Sequence, residues 1–480
     1  MSFLSLTFLC FFILLLFPYY LVSHKLKLSV LLCSSALFYL GFGLNFFFLL
    51  FGLTLVTFAF SMFIPKLREI RFRKCAMSCV VLLTILPLLF FKYFDFISDS
   101  LSELCSHLGF NLGEHTLKLM APVGISFYSF RVLSYLFDLY WGKITPERNF
   151  LKYALYVSYF PHILCGPIER AGSFFGRIDK NITFKSENLA LGGKIIIFGL
   201  FKKLVIADPL SVYVNSVYSS PEHSSGLALL LAAVFFSVQI YCDFSGYTDM
   251  ANGLSRCLGF DLVENFRRPY FSRNVKEFWG RWHISLSTWL RDYIYIPLGG
   301  NRRSKPRKYL NIMATFGISG LWHGANWTFV AWGILHGFFL VLHDLLIGRK
   351  RSGSIGKDSC FLACCNTLLT FAAVTFAWIL FRADSFSHFV EILSGILFRF
   401  DLSYSSISSL PLPFTGDNTS VAHFIVVVFY MALLFADSAI REFGVFQGLR
   451  KYDWIYYSFI LASVFCFGYF GKSTFIYAQF

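Results

Sequence analysis

The sequence predicts an all-α, polytopic integral membrane protein with about ten transmembrane helices. Composition and the length of the apolar runs carry that prediction. Of 480 residues, 56% are hydrophobic, 20% aromatic and only 14% charged, whereas soluble domains carry roughly 25% charge. A single water-soluble core cannot accept so much apolar surface, and a spanning helix needs about 20 predominantly apolar residues. The runs of Phe, Leu, Val and Ile do not alternate in period two, which excludes a transmembrane β-barrel along with a soluble enzyme or a disordered chain. Forty-two Lys and Arg against 27 Asp and Glu give a net charge of +15. In a soluble protein that would suggest a nucleic-acid partner. Here the basic residues fall in short loops between apolar runs, as cytoplasmic loops do, so no nucleic acid is expected.

In chain order, apolar runs at 3–22, 28–42 and 45–64 are separated by His24-Lys25-Leu26-Lys27 and followed by Lys66, Arg68, Arg71, Arg73 and Lys74. The first run lacks a basic n-region and a small-residue cleavage site, so it is read as a retained helix. The run from Cys75 to Phe94 crosses outward, and Asp95, Asp99, Glu103 and Glu114 then make an acidic external loop. Runs at 119–141 and 151–168 lead to a mixed basic stretch, Glu169 to Lys185. Gly193–Ile206 is interrupted by Lys202-Lys203 and closed by Asp208-Pro209, and a cleaner span covers 226–248.

Ala251 to Tyr309 is strongly basic yet laced with aromatics, among them Phe266, Tyr270, Trp279, Trp282 and Trp289. That combination favours the membrane interface, so short interfacial or re-entrant helices are expected there. Apolar runs resume at 310–347, 360–382, 420–437 and 455–472. The basic segments 65–74, 251–308, 349–357 and 441–451 are assigned to the cytoplasm, and the Ser-rich segment 385–419 to the outside. The 12 cysteines are scattered. Neither Cys75 and Cys79 nor Cys360, Cys364 and Cys365 meet a second pair at zinc-finger spacing, so no metal site is expected.

Ionisable groups inside apolar spans are costly and mark functional sites by default. Three stretches qualify: Gln239 to Asp249, Arg281 to Trp289, and Gly320 to Trp327. Asp243 reads either as a chemical group or as a cap or partner of a neighbouring Arg. His283 reads either as a site residue or as an interfacial histidine bonded to a carbonyl. His323 is harder to explain structurally, because a neutral imidazole in lipid needs partners that an apolar residue would not. It also lies between Gly320 and Gly324, which admit another chain or a ligand. His336 and His343 share a helix face without an HExxH arrangement and are assigned to packing or cavity lining.

The motifs Tyr-Cys-Asp-Phe-Ser-Gly-Tyr-Thr-Asp-Met (241–250), Trp-His-Ile-Ser-Leu-Ser-Thr-Trp-Leu-Arg-Asp-Tyr (282–293), Tyr-Ile-Pro-Leu-Gly-Gly-Asn-Arg (295–302) and Leu-Trp-His-Gly-Ala (321–325) resemble those of the membrane-bound O-acyltransferases. The bacterial branch of alginate and peptidoglycan O-acetyltransferases and the teichoic-acid D-alanyl transferase is the most similar. Gly124 to Tyr128, Cys165 to Ile168, Gly199 to Lys203 and the terminal Phe475-Ile476-Tyr477 extend the resemblance over nearly the whole chain, read as one domain, 1–480. Cys165 and Cys242 depart from the residues common at their positions.

The resemblance implies a central tunnel, with the family's essential histidine at His323 and its second motif residue, Asn or His across the family, at His283. It implies transfer of an acyl group, acetyl by the branch, from a cytoplasmic thioester such as acetyl-CoA or an acyl carrier to hydroxyls of a cell-surface glycan. The place would be the bacterial inner membrane, with the lipid bilayer as surroundings and no tightly bound cofactor. The histidine pKa near 6.5 suits a general base at neutral pH. Arg and Lys of 267–308 are candidates for donor phosphates or an acidic carrier face. Segment 385–419 is too short for an SGNH-type fold, so a separate periplasmic SGNH-type transferase is the expected partner. The competing class is a transporter or flippase using intramembrane His and Asp as a proton relay. Against it, the polar motifs crowd into Gln239 to His343, with no internal repeat.

Overall fold

A chain segment in hydrocarbon must satisfy its own backbone N–H and C=O groups, and a helix does so within one segment. The computed structural model describes residues 2–110, 116–347, 360–403, 419–443 and 453–471; among these the regular elements are helices and none is a strand. Among the described residues six helices are long and apolar enough to cross a bilayer: Leu44–Lys66, Ile70–His107, Gly226–Cys257, Trp327–Leu346, Phe361–Arg382 and Phe424–Glu442. Leu6–Leu21, Phe386–Phe398 and Asp453–Phe467 are apolar but shorter. Large apolar side chains such as Phe48, Leu82, Leu86 and Leu369 point outward from these helices and are exposed. In water so much exposed apolar surface would drive association; in lipid it is solvated. The chain is a multi-pass membrane protein.

Three stretches differ from the sequence expectation. The segment after Phe94 is helical, Phe94–His107, so Asp95, Asp99 and Glu103 lie on a helix continuous with the preceding span; Glu114 lies outside the described residues. The run 310–347 is two helices, Lys305–His323 and Trp327–Ile347. Within 385–419, Phe386–Phe398 is a helix capped by Ser385, whose hydroxyl accepts from the His388 N–H; 404–418 lies outside the described residues. So do 349–357, the 444–451 portion of the last basic segment, and Phe475-Ile476-Tyr477.

The chain divides into two compact units. The first contains Met1–Ile196 and Met250–Val263. Tyrosine hydroxyls join its helices: Tyr19 donates to the Leu258 carbonyl at 2.9 Å, Tyr39 to the Val123 carbonyl at 3.0 Å and Tyr153 to the Thr57 hydroxyl at 2.8 Å. Arg131, fully buried, donates to the carbonyls of His162 and Val157, both at 3.0 Å. Those carbonyls flank the break between Phe150–Ser158 and Phe160–Ile163. The guanidinium thus satisfies acceptors that a broken helix leaves exposed.

The second unit contains Ile197–Asp249 and Glu264–Gln479 and holds the three stretches Gln239 to Asp249, Arg281 to Trp289 and Gly320 to Trp327. Between the long helices lie short ones, Val275–Arg281 and Ile284–Leu290, then a wide helical turn Arg291–Tyr295. This is the pattern expected of the basic-aromatic stretch. Asn274 caps the first by accepting from the Glu277 N–H at 2.9 Å.

Candidate functional site

His323 is the last residue of Lys305–His323, and Trp327–Ile347 folds back against that helix as a hairpin. The hairpin is tight because glycines remove the side chains between its arms. A Cβ at Gly320 would lie 2.1 Å from the Phe329 carbonyl oxygen, and one at Gly333 would lie 2.1 Å from that of Phe316. The glycine beside the histidine therefore admits a second helix, which is one of the two alternatives the sequence left open. His323 itself is only 2% exposed.

His283 sits in the bend between two short helices with left-handed backbone, φ 42° and ψ 54°. A non-glycine residue there costs about 1–2 kcal/mol, so its surroundings must impose it. Asn265 does so. Its carbonyl accepts the Ile284 N–H at 3.0 Å and its side-chain oxygen accepts the Ser285 N–H at 3.1 Å. These are two of the N–H groups that a helix start leaves unpaired. One turn back, the Arg267 N–H donates to the Arg281 carbonyl at 2.9 Å, tying the strand of chain through Asn265 to the end of Val275–Arg281. His283 is fully buried. It lies outside the six long apolar helices, and burial pushes its pKa down to about 3. It is neutral at physiological pH and a weak base.

The two imidazoles come together. Their ring centres are 6.5 Å apart, and Trp322 bridges them at 5.9 Å from His283 and 5.0 Å from His323. Phe244, next to Asp243, meets the His283 ring edge-on at 4.7 Å. Trp332 and Phe381 stand edge-on to His323 at 5.0 and 5.5 Å. Of the sequence-predicted residues, His283 and His323 thus form one buried aromatic-walled centre. His336 joins its edge, with a ring 5.0 Å from Trp332.

Asp243 reaches Lys203, not a neighbouring Arg. The Lys203 ammonium lies 2.5 Å from the Asp243 carboxylate and 2.7 Å from that of Asp208, and Lys202 lies 2.7 Å from Asp249. The Lys-Lys pair sits in a wide helical turn, Phe201–Ala207, which directs adjacent lysines to separate carboxylates on Gly226–Cys257. These ion pairs fix the rotation of the helix that presents Phe244 to His283.

A cavity of about 690 Å³ opens beside the centre. Ile284, Ser287, Thr288 and Arg291 line it from the element that His283 begins, with Lys276 and Lys308 adding positive charge. Lys308 is 2.7 Å from Asp344, and Tyr309 donates to the same carboxylate oxygen at 3.1 Å. His343 also lines this cavity, as the cavity-lining reading anticipated. Trp279 also lines it, and its indole N–H donates to His336 Nδ1 at 3.3 Å.

The sequence profile of MBOAT, the membrane-bound O-acyltransferase family, matches residues 146–383, a stretch containing both histidines. A probable alginate O-acetylase, AlgI, of Pseudomonas aeruginosa is 36% identical over 369 residues, 76% of this chain and 69% of its own length. The chain belongs to the membrane-bound O-acyltransferase family. A peptidoglycan O-acetyltransferase of Helicobacter pylori is 32% identical over 76% of this chain and 73% of its own. A teichoic acid D-alanyltransferase of Bacillus subtilis is 26% identical over 64% and 78%. As a member of the family the protein is an acyltransferase, and the transporter reading falls away. Asn265 and the Trp279–His336 bond escaped sequence reasoning, because an asparagine in a basic loop and a tryptophan at an interface carry no periodic signal.

Proposed function

We propose that this protein takes an acetyl group from a cytoplasmic thioester, acetyl-CoA or an acyl-carrier arm, and passes it toward hydroxyls of a cell-surface polysaccharide across the bacterial inner membrane. The observation that carries the proposal is the pairing of His323 and His283 in a buried, water-excluding centre beside a cavity bearing Lys276, Arg291 and Lys308. At about 690 Å³ the cavity lies within the usual range for ligand sites, about 300–1,000 Å³. It offers cations for phosphate or carboxylate groups of a donor and an apolar wall for its arm. Acetyl is favoured because two of the three relatives above are named as O-acetylating enzymes.

In the proposed reaction His323 removes the proton of the attacking hydroxyl as its oxygen bonds to the thioester carbonyl carbon. The carbon–sulfur bond then breaks, and the departing thiolate takes the proton back from His323. His283, neutral and held by Asn265, orients the donor or stabilises the oxyanion. The hydroxyl belongs to the glycan or to a periplasmic SGNH-type transferase that carries the acyl group onward. The test is turnover of acetyl-CoA by purified protein in detergent, with and without a soluble polyol acceptor. Acceptor-dependent release of free CoA supports the reading; absence of both transfer and thioester hydrolysis refutes it.

A further inference from the structure

From the sequence His336 reads as a packing or cavity-lining residue; its surroundings add one bond and one buried donor to that reading. An indole N–H can only donate, so the bond from Trp279 Nε1 at 3.3 Å makes His336 Nδ1 the acceptor. The proton of the neutral ring is therefore on Nε2. His336 is fully buried, and its Nε2–H meets no acceptor among the described residues. The indole N–H groups of Trp332 and Trp378 are in the same condition, and both rings are fully buried. Trp332 lies 5.0 Å from His336, 5.5 Å from Trp378 and 5.0 Å from His323, centre to centre.

Each buried donor without an acceptor costs about 1–3 kcal/mol. Packing alone would be served more cheaply by Phe or Leu. A group of neighbouring donors suits a ligand atom that only accepts. In acyl transfer that atom is the carbonyl oxygen, which becomes an oxyanion when the hydroxyl adds. A hydroxyl would suit the cluster less well, since it must also donate, and its proton is the one His323 removes.

We infer that Trp332 and His336 donate their N–H groups to the acyl carbonyl oxygen of the thioester, making His336 a catalytic group. The inference rests on the reading of His323 as base. As the acceptor oxygen bonds to the carbonyl carbon, the carbonyl π pair moves onto oxygen and is held by the two donors. Its return expels the thiolate, so acyl thioester and alcohol become ester and thiol with no further reactant. Trp279, by holding Nδ1, fixes the tautomer that donates.

The test compares wild type with Trp332→Phe, His336→Phe and His336→Gln, all purified at matched monodispersity. The probes are acetyl-CoA turnover and the binding of two inert analogues, acetonyl-CoA, which keeps a carbonyl, and S-ethyl-CoA, which lacks one. Wild type binds the ketone more tightly than the thioether. Trp332→Phe and His336→Phe abolish that preference while S-ethyl-CoA binding stays level, and kcat falls about 10- to 100-fold, a larger factor than the accompanying rise in KM. His336→Gln recovers much of the loss, because its amide donates near the Nε2 position. Unchanged kcat in both phenylalanine variants overturns the inference alone, as does a loss shared equally by both analogues and not rescued by glutamine. Wild type that neither turns over acetyl-CoA nor binds either analogue overturns the underlying reading of the site.

Discussion

Asn265→Ala tests how the second histidine is held. The substitution removes the side-chain acceptor of the Ser285 N–H, a 3.1 Å bond in a fully buried setting. A buried N–H left without its partner costs about 1–3 kcal/mol. That is as large as the strain of about 1–2 kcal/mol stored in the left-handed backbone of His283, so the bend relaxes and the imidazole leaves its place against Phe244. If the whole cost appears in the barrier, transfer falls roughly 5- to 150-fold. The assay is acetyl-CoA turnover by purified variants, with thermal unfolding in detergent alongside. A double-mutant cycle supplies the decisive comparison: in a His283→Ala background, Asn265→Ala should add little further loss. Losses that multiply in the double variant, or wild-type turnover in Asn265→Ala, would refute the argument that Asn265 acts through His283.

Gly333→Ala places a methyl group 2.1 Å from the Phe316 carbonyl oxygen; it should cost about 1–3 kcal/mol of stability, read as a lowered unfolding midpoint, and displace His323, whereas an unshifted midpoint contradicts the tight hairpin. Lys203→Met strands the buried carboxylates of Asp208 and Asp243 and should destabilise by about 3–5 kcal/mol, read by denaturation in detergent; stability equal to wild type contradicts the ion-pair reading. His283, with its pKa lowered to about 3 by burial, carries no proton to lose between roughly pH 5 and 9. His283→Asn should therefore reduce the rate without moving the acid limb of the pH profile, and a displaced limb would show that His283 titrates during turnover.

The helical, membrane-spanning character is legible because charge is scarce and the apolar runs are long, and both follow from the bilayer as solvent. The pairing of His283 with His323 was legible through motif resemblance and is a matter of geometry in the folded chain, 40 residues apart. Other features were hidden for identifiable reasons. The continuation of the helix past Phe94 places acidic side chains on a helical face, which in sequence resembles a loop. The break after His323 is set by packing of two glycine-lined arms, which leaves the hydropathy of 310–347 uninterrupted. Asp243 finds Lys203 rather than an Arg because a wide turn at Phe201–Ala207 aims two consecutive lysines inward, and no local pattern announces such a turn.

The most direct measurement is the ester-linked acetyl content of cell-surface glycan in cells expressing wild type, His323→Ala or His323→Gln at matched membrane levels, with alkaline release and mass spectrometry as readout. If His323 is the general base, both variants accumulate normally in the membrane and lower glycan acetylation by about 10²-fold or more, glutamine being as inactive as alanine because it cannot accept the proton. Wild-type acetylation by His323→Ala, at equal protein level, would contradict the account.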